Sequence, residues 1–391
     1  MKKITADYIF TMAGEPVKDG IIILDSDGTI LDVVPKQNME DVDRYEGVIC
    51  PGFVNTHCHL ELSHLKGKVK SGGRLPGFIA QVQSQRIEDK EKVLQAIEVA
   101  EHEMIENGIV AVGDICNSDI TIQQKMKGNL HYYNFIELFG FRESEADKIF
   151  AKGESLFTKF RAREMQAGIT PHASYSVSEP LFEHILHHAE VNNTLISIHN
   201  QESRDENLFF MKRKGDFVKF YESIGFDINR FEPTGLSALQ SILSYLSPTL
   251  KTQFVHNTFT NKEDLFLAIN YNRNKSWWCF CPSSNIKIEK ALPNFEAFKR
   301  MNCQITIGTD SLASTKSLSI FDELKIIGQN YPDHNLADLL EWATINGAKF
   351  LGLNPKVGAI RKGSRPGLNL IENVDFENMR LTPQSQMQKL V

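Results

Sequence analysis

Alternation of apolar and polar residues dominates the first fifty positions of the chain. Residues 4–10 place an apolar side chain at every second position, the period of a strand with one buried face. Apolar runs at both ends of 21–34 flank the turn-forming segment 25–28, which closes on Gly28. This arrangement predicts a β-hairpin with a glycine-assisted turn. We therefore expect the first fifty residues to consist of strands.

From about Pro51 the pattern changes to short apolar runs that alternate with segments of helical spacing. Apolar residues recur on one helical face over 92–107, and Gly108 is the expected stop. A second helix is predicted from a capping Asn335 towards Phe350. Eight strands are predicted between these limits, at 51–58, 110–114, 131–138, 167–174, 195–200, 252–257, 276–282 and 304–309.

Eight strands with intervening helices over roughly 300 residues have the size of a (β/α)8 barrel. The predicted fold class is therefore α/β, a TIM-like barrel formed by residues 51–353. The segment 354–391 returns to turns and strands, and we expect it to pair with residues 1–50 in a small β-sandwich domain. The last dozen residues are polar, which indicates disorder.

Composition and charge exclude several classes of partner. Hydrophobic residues make up 41% and charged residues 24% of the chain, as in ordinary globular proteins. The net charge of −6 gives no basic patch for nucleic acid, and no apolar run is long enough for a membrane helix. The six cysteines are dispersed, and no export signal follows the first residues, so we expect a cytoplasmic protein. The sequence leaves open whether the protein forms a homodimer.

Histidines and an aspartate stand where predicted strands end. His57 and His59 end the first strand, His199 and His256 end the fifth and sixth, and Asp310 ends the eighth. Strand ends of a parallel barrel converge at one mouth, so these side chains should meet. Imidazole and carboxylate are ligands that zinc and ferrous iron prefer. The pattern predicts metal-assisted hydrolysis, and its recurrence disfavours three unrelated core histidines with a helix-capping aspartate.

Several segments resemble the amidohydrolase superfamily, and within it the cytosine-deaminase-like branch of aminohydrolases and chlorohydrolases. These segments cover nearly the whole chain and are Pro51–His59, Pro171–Ser178, His199–Glu202, Val255–His256, Cys281–Asn285, Gly308–Asp310, Trp342–Ala348 and Leu351–Leu353. Ser174 stands where a proline is common in the family. His59–Ser63, with Glu202, Ser203 and Glu206, more narrowly resembles the 6-aminodeoxyfutalosine deaminases, which act on an adenine-bearing nucleoside-like compound.

The resemblance implies a single divalent metal held by the residues at the strand ends. His57, His59, His199 and Asp310 would be the ligands, with zinc favoured and iron as the alternative. Bimetallic relatives carry a bridging lysine on the fourth strand, and residues 168–174 contain none. One metal ion per chain is therefore expected.

The remaining site residues are expected to move protons or bind substrate. Glu202 lies three residues past a ligand and is free for general acid–base work, and Asp310 can carry the second proton to a departing amine. The resemblance places His256 beside the metal-bound water or on the metal, and His172 on the substrate. Glu61 and Ser63 form either a substrate-binding rim or an ordinary surface loop.

The long connection 203–250 and the choice of reaction leave alternatives open. The connection is either a lid over the mouth or two ordinary barrel helices. The leading function is metal-hydroxide deamination of a purine-like heterocycle, such as an adenine nucleoside, as a small-molecule substrate. The same site would also suit hydrolysis of a cyclic amide or a chloro-heterocycle. A non-catalytic scaffold is disfavoured, because every ligand position implied by the resemblance is filled.

Overall fold

The computed structural model describes residues 1–272 and 275–391. The strands are β1 (Lys2–Thr5), β2 (Tyr8–Ile9), β3 (Val17–Lys18), β4 (Ile21–Leu24), β5 (Ile30–Val34), β6 (Asp43–Arg44), β7 (Val48–Pro51), β8 (Phe53–Cys58), β9 (Ile109–Cys116), β10 (His131–Leu138), β11 (Gln166–Pro171), β12 (Ile196–Asn200), β13 (Thr252–His256), β14 (Ser276–Phe280), β15 (Gln304–Ile307), β16 (Leu368–Glu372) and β17 (Gln386–Lys389). The helices are α1 (Arg74–Gln85), α2 (Lys90–Glu106), α3 (Ile122–Lys125), α4 (Ala146–Arg161), α5 (Glu179–Asn192), α6 (Arg204–Lys212), α7 (Asp216–Ser223), α8 (Ala238–Ile242), α9 (Lys262–Asn272), α10 (Pro282–Glu289), α11 (Phe295–Arg300), α12 (Ile320–Asn330), α13 (Leu336–Ala343) and α14 (Ile345–Phe350).

Two parallel four-stranded sheets form the centre of this α/β protein. One has the order β11-β10-β9-β8 and the other the order β12-β13-β14-β15. Isolated parallel bridges join Ala173 to His199 and Cys58 to Asp310, at the two places where the sheets adjoin. Every residue of β8, β12, β13 and β14 is buried, as expected for parallel strands covered on both faces.

The eight predicted strands appear as β8 to β15, but the first is interrupted. Residues 51–58 divide at Gly52, where the chain passes from β7 into β8 and from one sheet into another. The backbone N–H of Gly52 donates to Pro366 O at 3.1 Å. A side chain at this position would clash with Val110 and with the Pro366 carbonyl. Close approach of the Pro366 backbone and the Val110 side chain therefore explains both the glycine and the interruption.

The two predicted helices are present, and one of them is shorter than expected. α2 begins after Asp89, whose side chain accepts from the backbone N–H groups of Glu91 and Lys92. α13 begins after Asn335, whose side chain accepts from Asp338 N, as the capping prediction requires. The prediction of one continuous helix towards Phe350 was wrong. Thr344, with φ −130° and ψ −89°, separates α13 from α14.

Both chain ends contribute to further sheets. A five-stranded sheet has the order β17-β16-β7-β2-β3, and β16 pairs antiparallel with β7 as predicted. The hairpin over 21–34 is confirmed as β4 and β5, with Gly28 at φ +85°. The predicted disorder of the last dozen residues was wrong. β17 is an edge strand on β16, and Leu390 N donates to Leu368 O at 2.8 Å, so backbone pairing orders this polar segment. Among the described residues, no helix combines the length and apolarity needed to cross a bilayer.

A buried ion pair ties the sheet of β8 to β11 to the turn that follows β8. Asp114 of β9 and Lys125 of α3 are paired, with side-chain exposures of 0% and 1%. Burial opposes the charge of Lys125, but Asp114 holds the pKa of its ammonium above the usual value. Asp114 Oδ1 also accepts from Leu60 N at 2.8 Å. The pair therefore fixes the backbone immediately after His59.

We expect Lys125→Met to lower the free energy of unfolding by about 3–5 kcal/mol, because Asp114 would remain buried without its partner. Urea denaturation followed by circular dichroism measures this loss. The matched control is Lys159→Met, which breaks the exposed pair with Asp119 and should cost less than about 1 kcal/mol. Similar losses for the two variants would contradict the importance of the buried pair.

Candidate functional site

The predicted site residues do converge at the carboxyl ends of the parallel strands. His57 and His59 lie at the end of β8, His199 lies in β12, His256 ends β13, and Asp310 follows β15. His256 and Asp310 have positive φ values of 74° and 61°. Such backbone conformations are strained for residues with a side chain and concentrate at functional sites. Here they turn both side chains at the point where each strand stops.

The nitrogen and oxygen atoms of these side chains form two groups of three that share His57. His57 Nε2 lies 3.2 Å from His59 Nε2. Asp310 Oδ1 lies 3.8 Å from His57 Nε2 and 3.4 Å from His59 Nε2. One ring nitrogen from each of His57, His199 and His256 lies within 4.8 Å of the others. The arrangement brings together the donor atoms that a divalent metal requires.

Hydrogen bonds behind these side chains fix their orientation. His199 Nδ1 donates to the His172 carbonyl at 2.8 Å, so Nε2 keeps its lone pair. His256 Nδ1 lies 2.9 Å from Asn285 Oδ1. Asp310 Oδ2 accepts from the hydroxyls of two serines, Ser284 at 2.6 Å and Ser314 at 2.7 Å. Each group thus presents its free atom to the cluster.

Burial sets the protonation states of the cluster. It lowers the pKa of His59 and of His256 to about 4, and it lowers the pKa of His57 well below the usual value. Burial opposes ionisation of Asp310, but the neighbouring His59 and His256 and its serine partners hold the pKa of this carboxyl below its usual value. Near pH 7 His57, His59 and His256 are therefore neutral and Asp310 is ionised, the state that metal binding needs.

Glu202 lies beside the cluster, two residues after β12 ends. Its side chain is buried, and Oε2 lies 3.7 Å from His256 Nε2. Burial, with Asp310 and Glu206 nearby, raises the pKa of Glu202 well above its usual value. A raised pKa favours the protonated form of the carboxyl group and suits it to return a proton during a reaction.

Glu206 holds the segment that carries Glu202, and the sequence reasoning gave it no such role. Its Oε2 accepts from Glu202 N and its Oε1 from Gln201 N, both at 3.0 Å, and Ser174 Oγ donates to Oε1 at 2.9 Å. Ser203 caps α6 by accepting from Asp205 N. The S-x-x-E spacing of Ser203 and Glu206 is the capping-box signature, which could have identified this anchor.

A cavity of about 300 Å³ opens above the cluster and has two unlike walls. Its polar wall includes His172, Glu202 and Asp310. Its apolar wall comes mainly from α1, α7 and the loop after β10, through Leu75, Phe78, Ile79, Val82, Phe139, Phe141, Phe220 and Tyr221. The sequence reasoning missed α1, although its apolar spacing is helical. The 203–250 connection forms the short helices α6 to α8, and its action as a lid stays a prediction.

The predicted substrate-binding residues occupy different positions around this cavity. His172 lines it, with Nδ1 2.7 Å from Ser176 Oγ. Glu61 is buried in the turn Leu60–Leu65 and is paired with Arg86. Ser63 Oγ donates to the Leu60 carbonyl at 2.7 Å. Neither Glu61 nor Ser63 is among the described residues that line the cavity, so their contact with substrate stays a prediction.

Three lining residues were missed because their placement depends on tertiary contacts. These are Arg86, Asn117 and Glu137. Asn117 Oδ1 accepts from Arg86 at 2.7 Å, and Asn117 Nδ2 donates to Glu137 Oε2 at 3.0 Å. They come from separate elements, and no local spacing in the sequence links them.

Comparison with known proteins yields one family match over most of the chain. A model described as "Amidohydrolase family" matches residues 48–390. An aminodeoxyfutalosine deaminase of a Nitratiruptor species is 27% identical over 354 residues, covering 88% of this chain and 84% of that protein.

Two solved structures share the fold across nearly the whole chain. The Helicobacter pylori aminofutalosine deaminase in complex with methylthio-coformycin has a TM-score of 0.80 and 24% identity, covering 98% of this chain and 94% of that one. An adenosine deaminase from Xanthomonas campestris with bound zinc has a TM-score of 0.73 and 20% identity, covering 97% of this chain and 86% of that one.

Proposed function

Because this chain belongs to the amidohydrolase family, we propose that it is a metal-dependent aminohydrolase of an adenine-type nucleoside. The observation that carries the proposal is the buried Glu202, 3.7 Å from His256 and next to a cluster of histidines with one aspartate. Deamination of a heterocycle needs a group that moves a proton from water to a ring nitrogen, and Glu202 is suited to it. The names of the Nitratiruptor and Xanthomonas relatives support the choice of an aminated nucleoside.

The proposed scaffold is a closed (β/α)8 barrel. The bridges Ala173–His199 and Cys58–Asp310 would be the seams between its two four-stranded halves. Residues 51–353 would form this barrel. Residues 1–50 and 354–391 would form a small β-sandwich domain, supported by the pairing of β16 with β7.

One zinc ion would be held by His57, His59, His199 and Asp310. Imidazole nitrogens and a carboxylate oxygen suit a divalent metal, and His57 lies within ligand range of His59 and Asp310 in one group and of His199 in another. Ferrous iron is the alternative. Residues 168–174 lack the lysine that would bridge a second ion. When bound, such a metal supplies hydroxide near neutral pH by lowering the pKa of water.

The chain's own residues would then move two protons. Glu202 takes one proton from the attacking water and returns it to the ring nitrogen next to the amine-bearing carbon. Asp310 takes the second and delivers it to the amine, which leaves as ammonia while the ring keeps the oxygen. His256, whose Nδ1 lies 2.9 Å from Asn285 Oδ1, would contact the attacking water or the metal.

Substrate binding would divide between the two walls of the cavity. His172 contacts the heterocycle from the polar wall. Glu61 acts through Arg86, whose guanidinium it orients, and Ser63 stabilises the turn that carries Glu61. The apolar residues of α1 and α7 exclude water from the reacting atoms.

We expect about one divalent metal ion per chain, because three histidines and one aspartate complete one site. Elemental analysis of protein purified without chelator measures the ratio. Chelation should abolish activity, and zinc should restore it. A ratio near two would contradict a mononuclear site, and activity that survives complete metal removal would contradict metal dependence.

Glu202→Gln should keep the metal and lose about 10²- to 10⁴-fold in kcat, because an amide cannot accept the proton of water. Steady-state ammonia release and elemental analysis of the same preparation measure both quantities. Glu190→Gln, an exposed change on α5, is the control and should behave as wild type. Wild-type turnover by a fully metallated Glu202→Gln would remove Glu202 from the mechanism.

The function itself is tested by ammonia release from aminated purines, pyrimidines and their nucleosides with metal-loaded protein. We expect turnover of adenine-type nucleosides, detected by ammonia and by the change in purine absorbance. Hydrolysis of a chloro-heterocycle or a cyclic amide, without ammonia from any amine, would replace deamination with the other chemistry that suits this site.

A further inference from the structure

Glu137 presents a buried carboxylate oxygen that the proposed reaction does not use. It lies on β10, and only 4% of its side chain is exposed. Asn117 Nδ2 donates to Oε2 at 3.0 Å, whereas Oε1 is buried without a hydrogen-bond partner in the part of the chain that the structure describes. A buried acceptor without a partner has lost its hydrogen bonds to water without replacement, so such groups commonly mark a site that a ligand completes.

The histidines of the cluster do not satisfy this oxygen. Oε1 lies 3.6 Å from His199 Nδ1, which is too long for a hydrogen bond. That nitrogen already donates to the His172 carbonyl at 2.8 Å. Glu137 lines the same cavity as His172 and Glu202, so a bound molecule can contact this side chain.

The neighbouring cation is already paired with another carboxylate. Arg86 is paired with Glu61 and also donates to Asn117 Oδ1 at 2.7 Å. Glu61 in turn accepts from Asn117 N at 3.2 Å. This network holds Glu137 through its Oε2 and leaves Oε1 as a buried acceptor without a partner among the described residues. A carboxylate or phosphate of a ligand would be repelled there.

We infer that Glu137 is a specificity-determining residue that accepts hydrogen bonds from the sugar hydroxyls of the substrate. The inference rests on the proposed function and names the part of the nucleoside that Glu137 reads. The cavity around Glu137 also contains Leu62, Phe78 and Phe139. Removing a neutral hydroxyl from water into such surroundings costs much less than removing an ammonium ion, which favours hydroxyl donors.

The test crosses a change in the enzyme with a change in the substrate. The values of kcat/KM are measured for an adenine ribonucleoside and for its 2′,3′-dideoxy analogue, with wild type and with Glu137→Gln. In the variant, Asn117 Nδ2 favours the amide oxygen, so the amide NH2 replaces the acceptor in the cavity. Wild type should prefer the ribonucleoside by about 10- to 100-fold, and the variant should lose most of that preference.

The control variant is Glu101→Gln, which changes a buried carboxylate outside the cavity. Glu101 accepts from Gln124, Asn129 and Tyr132. We expect Glu101→Gln to keep the wild-type preference for the ribonucleoside. Thermal unfolding of each variant shows whether the variant is folded. Metal content is measured on the same samples and should be unchanged in Glu137→Gln.

Three outcomes would overturn the inference. Equal losses on both substrates, with reduced metal content, would make Glu137 a positioning residue for His199. A full ribonucleoside preference in Glu137→Gln would remove it from sugar recognition. No turnover of either compound by metal-loaded wild type would remove the proposed function, and this inference with it, which distinguishes that failure from the first two.

Discussion

The desolvated carboxylate of Asp310 is the constraint on which the rest of the site depends. A buried charge is tolerated only when hydrogen bonds and opposite charges compensate for the lost water. Two serine hydroxyls hold Oδ2, and Oδ1 faces His57 and His59. The backbone of Asp310 adopts φ +61° to reach this position. Strain of this kind costs about 1–3 kcal/mol and persists only where the surrounding fold enforces it.

Two of the segments that carry reactive side chains are held by buried carboxylates. Asp114 accepts from the backbone N–H that follows His59, and Lys125 neutralises it. Glu206 accepts from the backbone N–H of Glu202 and of its neighbour. The loops at the strand ends are therefore fixed by internal acceptors. Positions held in this way can keep reacting atoms within the narrow geometric limits that catalysis demands.

Features of the fold and site that depend on neighbouring residues could be predicted from the sequence, whereas features that depend on distant contacts could not. The ends of β8, β12 and β13, with the histidines they carry, could be located from apolar runs and the strand period of two. The interruption at Gly52 depends on contact with Pro366, more than three hundred residues later in the chain, so no local pattern reveals it. From the sequence, Glu61 could belong either to a substrate-binding rim or to a surface loop. In the structure its carboxylate is buried and paired with Arg86. Such pairings exist only in the tertiary structure, and Glu137 was missed for the same reason.

The two unlike walls of the cavity impose an orientation on whatever binds between them. His172, Glu202 and Asp310 lie on the side of the strand ends, and α1 and α7 supply Phe78, Val82 and Phe220 on the other. Glu137 lines the same cavity, and its Oε1 has no hydrogen-bond partner among the residues that the structure describes. A ligand with a reactive polar end, donors at its middle and an apolar far end would satisfy every surface at once. The reverse orientation would leave Glu137 unpaired and bury polar atoms against phenylalanine, at a cost of several kcal/mol.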